Sequence, residues 1–109
     1  MTPEGRIKKL VRTGLADLQE KHPGKLWIRW PVLRGMGLPM LDCHIIADGL
    51  SVAIETKRDE FHKLTERQII TKREIETAGG RVFTAYDEHT VEATVWELGA
   101  MLRLMACKM

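Results

Sequence analysis

The pattern of apolar and polar residues along the chain predicts three helices and four strands. The first helix has Thr2 and Pro3 in the positions of an N-cap and a first helical residue, and it runs to about Glu20. Residues 22–24, which include a proline and a glycine, end it. The apolar stripe has helical spacing and consists of Ile7, Leu10, Val11, Leu15 and Leu18.

Three strand-like segments follow this helix. Residues 25–32 are rich in aromatic and branched side chains, and Pro31 limits this strand or places it at an edge of the sheet. Residues 41–47 and 50–57 flank Asp48-Gly49, which is a strong signal for a hairpin turn. Both hairpin strands are largely apolar on both faces, which predicts a sheet that is covered on its two sides.

The second half of the chain alternates helix, strand and helix. Thr65 and Gln68 fit a capping box, and the helix that they begin ends at two glycines. A strand at residues 81–86 and a helix at residues 91–105 complete the pattern. A strand that is reached through a helix should lie parallel to the preceding strand by a right-handed crossover. The prediction is one α/β domain over residues 1–109, with a mixed sheet flanked by helices.

Composition and charge narrow the possible functions only slightly. The formal net charge of +2 is mildly basic, so total charge does not identify a nucleic-acid-binding protein. No segment approaches the roughly 20 apolar residues that span a bilayer, and the N-terminus lacks the apolar core of a signal peptide. Cys43 and Cys107 are widely separated and match no metal-ligand spacing. These features favour a cytoplasmic protein with reduced thiols.

Three charged residues should converge at one end of the hairpin. Strand alternation places Glu55 and Lys57 on one face, and antiparallel pairing brings Asp42 beside them. The two acids supply the hard oxygen ligands that Mg²⁺ or Mn²⁺ prefers, and the backbone carbonyl of Thr56 can complete the shell. Such an ion stabilises the charge that develops in phosphodiester cleavage. Lys57 can orient the attacking water or share that charge.

An ordinary surface ion pair also explains a Glu-x-Lys sequence on a strand. The preceding Asp42 and the hairpin favour a site, because acids at the end of an apolar strand serve no packing purpose. Periodicity alone leaves the two interpretations evenly balanced.

Four segments in fixed order resemble the virus-type replication-repair nuclease (VRR-NUC) family of the PD-(D/E)xK nuclease superfamily. They are GLPMLD at 37–42, AIETK at 53–57, LTERQ at 64–68 and AGGRV at 78–82. The resemblance covers most of the chain and implies a restriction-endonuclease-like core. One position departs from the motif, since Pro39 stands three residues before the acid instead of next to it. The metal-binding acid itself is in place.

The resemblance implies a metal-dependent DNA endonuclease. Asp42 and Glu55 would bind Mg²⁺ or Mn²⁺, Lys57 would serve catalysis, and Gln68 would support the site. Glu4 best fits the acid that the first helix of the family often adds. Two of these positions also have structural explanations, because the capping box accounts for Gln68 and the helix dipole favours an acid at Glu4.

This short chain is similar to the stand-alone viral members of that family, which act as homodimers on branched DNA such as four-way junctions. The resemblance therefore implies a DNA partner, a homodimer and a phage-encoded protein acting in the host cytoplasm. The final helix is consistent with an interface, because its apolar residues exceed one stripe. They are Val91, Val95, Trp96, Leu98, Met101, Leu102, Leu104 and Met105.

Candidate DNA-binding residues flank the predicted site in sequence. The cations are Arg34, Arg58, Lys63, Arg67, Lys72 and Arg73. Trp27 and Trp30 can stack on bases, although burial in a core or interface is the more common role. His44 shares a face with Asp42 and either contacts substrate or packs in the sheet. No base-reading element is present, which favours recognition of DNA shape.

Two other classes of function remain open. A non-catalytic nucleic-acid-binding module could retain the nuclease fold, although the intact set of Asp42, Glu55 and Lys57 argues against it. In a simple interaction protein the same acids would be surface residues, and divalent-metal binding separates that class from the nuclease.

Overall fold

A computed structural model describes residues 2–31 and 40–107 of the chain. The predicted order of helix, three strands, helix, strand and helix is confirmed. The elements are α1 (Pro3–Lys21), β1 (Leu26–Arg29), β2 (Cys43–Ala47), β3 (Leu50–Thr56), α2 (Glu66–Thr77), β4 (Arg81–Ala85) and α3 (Glu88–Cys107). Arg34 and Pro39 lie outside the described residues.

The four strands form one mixed sheet in the order β1-β2-β3-β4. β1, β2 and β3 are antiparallel neighbours, whereas β4 pairs with β3 in parallel, as the helical crossover requires. The hairpin between β2 and β3 turns at Asp48 and Gly49, whose φ angles of 49° and 91° are both positive. That combination is typical of a tight two-residue hairpin turn and explains the Asp-Gly sequence.

The inner face of the sheet packs against α1 and α3. Ile7, Val11, Leu15 and Leu18 are the buried positions of α1, so the predicted stripe is confirmed except that Leu10 is only partly buried. Strand alternation supplies the other half of the core. The core strand residues are Cys43, Ile45, Ala47, Val52, Ile54 and Ala85, and α3 adds Val91, Leu98 and Leu102.

The opposite, outer face is only partly covered. The core that α1 and α3 form on the inner face includes no residue of α2, and α2 packs against β4. On the outer face Ala53 and Glu55 are buried, whereas Trp27 and Ile46 are 46% and 47% exposed. The prediction of cover on both sides is therefore correct for Ala53 and Glu55 of β3. It is wrong for Ile46 of β2 and for Ser51, its partner on β3, which are both exposed. A single crossover helix is too narrow to cover four strands.

Side-chain caps fix the ends of the helices that border the site. Thr2 accepts a hydrogen bond from the amide of Gly5 at the start of α1. Thr65 and Gln68 form the predicted capping box at the start of α2. Asp87 accepts from the amide of Thr90 at 2.8 Å before α3. Within the described residues, none of the three helices has the length and apolarity that a membrane crossing needs.

Candidate active site

Asp42 is held at the end of the sheet by the last residue of β3. The backbone amide and the hydroxyl of Thr56 both donate to Asp42 Oδ2, at 2.9 Å and 2.7 Å. Thr56 is fully buried, so these two bonds fix one oxygen of the carboxylate and leave Oδ1 for another partner. Since the amide and carbonyl of a strand residue point to the same neighbouring strand, the Thr56 carbonyl should also face Asp42.

Glu55 is a buried acid, with only 2% of its surface exposed. Its Oε2 is enclosed and has no hydrogen-bond partner among the described residues. Burial, together with the hydrogen bond to Asp42 and the negative charge of that residue, raises the pKa of Glu55 to about 9. Near neutral pH the pair therefore shares a proton in the absence of a cation.

Asp42 carries the negative charge of that pair. Burial disfavours its ionised form, but hydrogen bonds from Glu55 and Thr56 outweigh burial and hold the pKa of Asp42 below its ordinary value. The Lys8 ammonium contributes from α1, with Nζ 3.9 Å from Asp42 Oδ1. Sequence reasoning missed Lys8, although its position one turn after Glu4 on α1 was a signal that could have found it.

Lys57 is oriented by α2. Its Nζ donates to Gln68 Oε1 at 2.8 Å, and the same oxygen accepts from the amide of Thr65 at 2.9 Å in the capping box. The predicted capping box is therefore present, and the oxygen that caps the helix also contacts the lysine. The backbone of Lys57 is fixed from the other side, because its amide donates a hydrogen bond to the Ala85 carbonyl at 2.9 Å.

Glu4 stands apart from the pair of acids. It lies in the first turn of α1, and its negative charge contributes to the raised pKa of Glu55. Across residues 2–31 and 40–107, no three acidic, histidine or cysteine side chains are close enough to hold a metal ion together. Among the described residues the structure thus brings Asp42 and Glu55 together without Glu4 as a third ligand.

The oxygen atoms at this end of the sheet fit a hard divalent cation. Two adjacent carboxylates place negative charge at this end of the sheet, and one of them has a buried oxygen without a partner among the described residues. The Lys8 ammonium approaches this charge only at Asp42 Oδ1. Mg²⁺ commonly uses one or two protein carboxylates and keeps several waters, so a third acid is not required. Asp42 Oδ1, the Glu55 carboxylate and the Thr56 carbonyl are the ligands that such an ion would find.

The candidate DNA-binding cations are arranged around α2 and the segment before it. Arg58, Lys63, Arg67 and Arg73 are exposed, and Lys72 is half-buried one turn after Gln68. Arg58 is partly neutralised, since its Nε lies 3.7 Å from Asp59. Arg34 lies outside the described residues.

The aromatic and histidine candidates differ in their surroundings. Trp30 packs against the core and has the Arg12 guanidinium 4.5 Å from its ring centre, whereas Trp27 is exposed on the outer face. His44 is half-buried, and its enclosed Nε2 has no partner among the described residues. Burial lowers the pKa of His44.

Comparison with known proteins supports the nuclease-like arrangement at the level of the fold. A solved structure described as a VRR_NUC domain matches this chain with a TM-score of 0.72 and 21% sequence identity. The match covers 87% of this chain and 96% of that one. The chain has the fold of a VRR_NUC domain. No protein-family model matches the sequence, and no curated protein matches it.

The VRR_NUC fold confirms the resemblance that the four sequence segments indicated, together with the α/β class. A mixed sheet with helices on both faces is common to many functions, so the fold by itself does not assign an activity. Any activity depends on the side chains at the end of the sheet that carries Asp42, Glu55 and Lys57.

Proposed function

We propose that this chain is a Mg²⁺- or Mn²⁺-dependent endonuclease that hydrolyses phosphodiester bonds of DNA. The observation that carries the proposal is the buried Asp42–Glu55 pair with Lys57 on the same strand. A buried acid with one oxygen that lacks a partner among the described residues costs stability, and such groups are concentrated at functional sites. The match to a VRR_NUC domain supports the proposal at the level of the fold.

Each group has a separate role in this proposal. Asp42, Glu55 and the Thr56 carbonyl would hold the divalent ion, which supplies electrostatic stabilisation of the phosphate and a more acidic water. Thr56 keeps Asp42 oriented through its two hydrogen bonds. Lys57 places a positive charge beside the scissile phosphate and is held there by Gln68. The cations around α2 would contact flanking phosphates.

Cleavage of a panel of linear, flapped and four-way DNA tests the proposal directly. Mg²⁺ and Mn²⁺ should support cutting, whereas Ca²⁺ should support DNA binding with poor turnover because its coordination is looser. Excess EDTA should abolish cutting. Cutting that persists in EDTA contradicts the metal mechanism, and binding without any cutting favours a non-catalytic module with the same fold.

Gln68 is expected to act as a positioning residue for Lys57. Gln68→Ala should lower kcat about 10-fold or more, because the lysine loses the partner that fixes its direction. The matched control is Thr65→Ala, which removes the other half of the capping box and leaves the Lys57 partner in place.

Both variants should lose about 1 kcal/mol of unfolding free energy in denaturant titrations, because each loses a cap. Only Gln68→Ala should lose activity at a temperature where both are folded. Equal kcat values for the two variants would show that Gln68 only caps the helix and does not position Lys57.

A homodimer that acts on branched DNA is the finer part of the proposal. On α3, Trp96 and Leu104 are 68% and 64% exposed, which is costly for a free surface. Trp96 also borders a groove of about 460 Å³ between α1 and α3, whose lining includes Leu10, Gly14 and Val95. A two-fold pairing over this groove would cover those residues and give one particle two active sites. Two sites suit paired cuts in a four-way junction.

Sedimentation equilibrium at micromolar concentration tests the dimer. The wild type should have twice the monomer mass of 12.5 kDa, and Trp96→Lys should return the monomer mass. Phe61→Lys is the matched control, because Phe61 is 80% exposed in the loop after β3. A monomeric wild type refutes the dimer and the paired-cut mechanism with it.

A further inference from the structure

An exposed patch lies on the outer face of the sheet, on the strands that α2 does not cover. We call it the outer-face patch, and its members are the exposed Trp27, Arg29 and Ile46 and the half-buried His44. The register places Trp27 opposite Ile46 and Arg29 opposite His44 on the neighbouring strands β1 and β2. Since side chains alternate along a strand, all four project from the face that also carries Asp42 and Glu55.

Trp27 and Arg29 form a stacked pair within this patch. The Arg29 guanidinium lies 4.5 Å from the centre of the Trp27 ring, and both residues are exposed. Arg29 also donates to the Ile28 carbonyl at 2.8 Å, which anchors the guanidinium beside the ring. An exposed aromatic ring beside a fixed cation combines a stacking surface for a base with a charge for a phosphate.

The patch is continuous with the proposed active site. Ile46 is four residues from Asp42, and at about 3.3 Å per strand residue the two lie about 13 Å apart along β2. Arg29 and His44 stand between them in the register. A few nucleotides of extended single-stranded DNA span that distance. A DNA strand that is cut at Asp42 and Glu55 therefore passes the patch if it follows the sheet.

We propose that the outer-face patch binds an unpaired strand of the DNA substrate, with a base stacked on Trp27 and a phosphate held by Arg29. This proposal rests on the proposed function and names a substrate class for it, DNA with a single-stranded arm. Bases in a duplex have their faces covered by their neighbours, so only unpaired bases can stack on a protein ring. The alternative occupant is a second copy of the chain, which would bury the apolar side chains of the patch in a protein–protein interface.

Binding is measured by fluorescence anisotropy of labelled DNA in EDTA, where cleavage plays no part. Three ligands of equal length are compared: a thymidine oligonucleotide, a flapped duplex and a blunt duplex. Trp27→Ala should weaken binding of the first two about 5- to 150-fold and leave the blunt duplex within about 2-fold. Trp27→Phe should recover part of the loss, since a smaller ring still stacks.

The matched control is Trp96→Ala, which removes another exposed tryptophan from α3, in the helical layer on the inner face. Because Trp96 belongs to the proposed dimer interface, any loss that Trp96→Ala causes should be equal on all three ligands. Its preference for the single-stranded and flapped ligands over the blunt duplex should therefore equal that of the wild type. Arg29→Ala should weaken binding and reduce its salt dependence by about one phosphate contact, and Arg29→Lys should keep the salt dependence.

Equal loss on all three ligands, or no loss on any, overturns the proposal. Unchanged DNA binding with a halved mass for Trp27→Ala in sedimentation would assign the patch to a second copy. Because no cleavage is measured, a failed nuclease assay does not alter these results. If the wild type cuts DNA and Trp27→Ala does not change DNA binding, the proposal for the outer-face patch fails and the proposed nuclease function stands.

Discussion

Replacing Lys57 with alanine is expected to lower the cleavage rate about 10²- to 10³-fold while DNA binding changes little. The ammonium is fixed by Gln68 at 2.8 Å beside the two acids, so it costs no reorganisation when charge develops on the phosphate. Groups of this kind stabilise the transition state by about 3–4 kcal/mol and the bound substrate much less. Single-turnover cleavage at saturating enzyme measures the effect on the chemical step.

The control for this variant is Lys9→Ala, which removes an exposed lysine of α1 that has no place in the proposed site. Its cleavage rate should equal that of the wild type. A Lys57→Ala protein that is folded by circular dichroism and still cuts at the wild-type rate would contradict the assignment of Lys57.

Glu55→Gln is expected to abolish cleavage and, in metal-free buffer at pH 8, to make the protein more stable than the wild type. The neutral amide copies the shape of the protonated acid and has no charge to bury. Because the pKa of Glu55 rises from 4.5 in the unfolded chain to about 9 in the folded one, the folded state holds a proton that the unfolded state releases. Wild-type stability therefore falls as pH rises from about 4.5 to about 9.

Thermal melts between pH 5 and pH 9 in EDTA test this expectation. The two proteins should have similar Tm values at pH 5, and the variant should melt higher as pH rises. Adding Mg²⁺ or Mn²⁺ at pH 8 should raise the Tm of the wild type and leave Glu55→Gln unchanged, since ligands that bind the folded state stabilise it. Glu20→Gln, at an exposed position, serves as the control. A wild type that melts higher than the variant at every pH in EDTA would show that Glu55 is not a strained acid.

The sequence predicted the elements well because each is specified locally. The stripe of α1, the Asp48-Gly49 turn and the Thr65–Gln68 capping box depend on neighbouring residues, and the structure shows all three. The cover of the outer face could not be predicted in this way. Both hairpin strands are apolar on each side, but how far α2 reaches over them is a matter of tertiary packing, which leaves Ile46 exposed.

In the candidate site, too, the local features were predicted and the tertiary contacts were not. Alternation along β3 and the hairpin register were enough to place Asp42, Glu55 and Lys57 at one end of the sheet. The two bonds from Thr56 to Asp42 and the approach of Lys8 were not predicted. These contacts join residues that are 14 and 34 positions apart in the chain, and a periodic sequence pattern does not predict contacts between such distant positions. The opposite pKa shifts of the two acids follow from the burial of Glu55 and from the hydrogen bonds that Asp42 accepts, and a sequence displays neither.

The first turn of α2 sets a limit on how often the lysine is in place. Helix ends open and close locally far more often than a domain unfolds, and here the oxygen that closes the turn is the one that holds Lys57. Each opening of the turn releases the lysine at the same moment. The equilibrium population of the closed turn is therefore the largest fraction of molecules that can be competent at any instant. Amide exchange at Thr65, whose amide donates to that oxygen, would report this population.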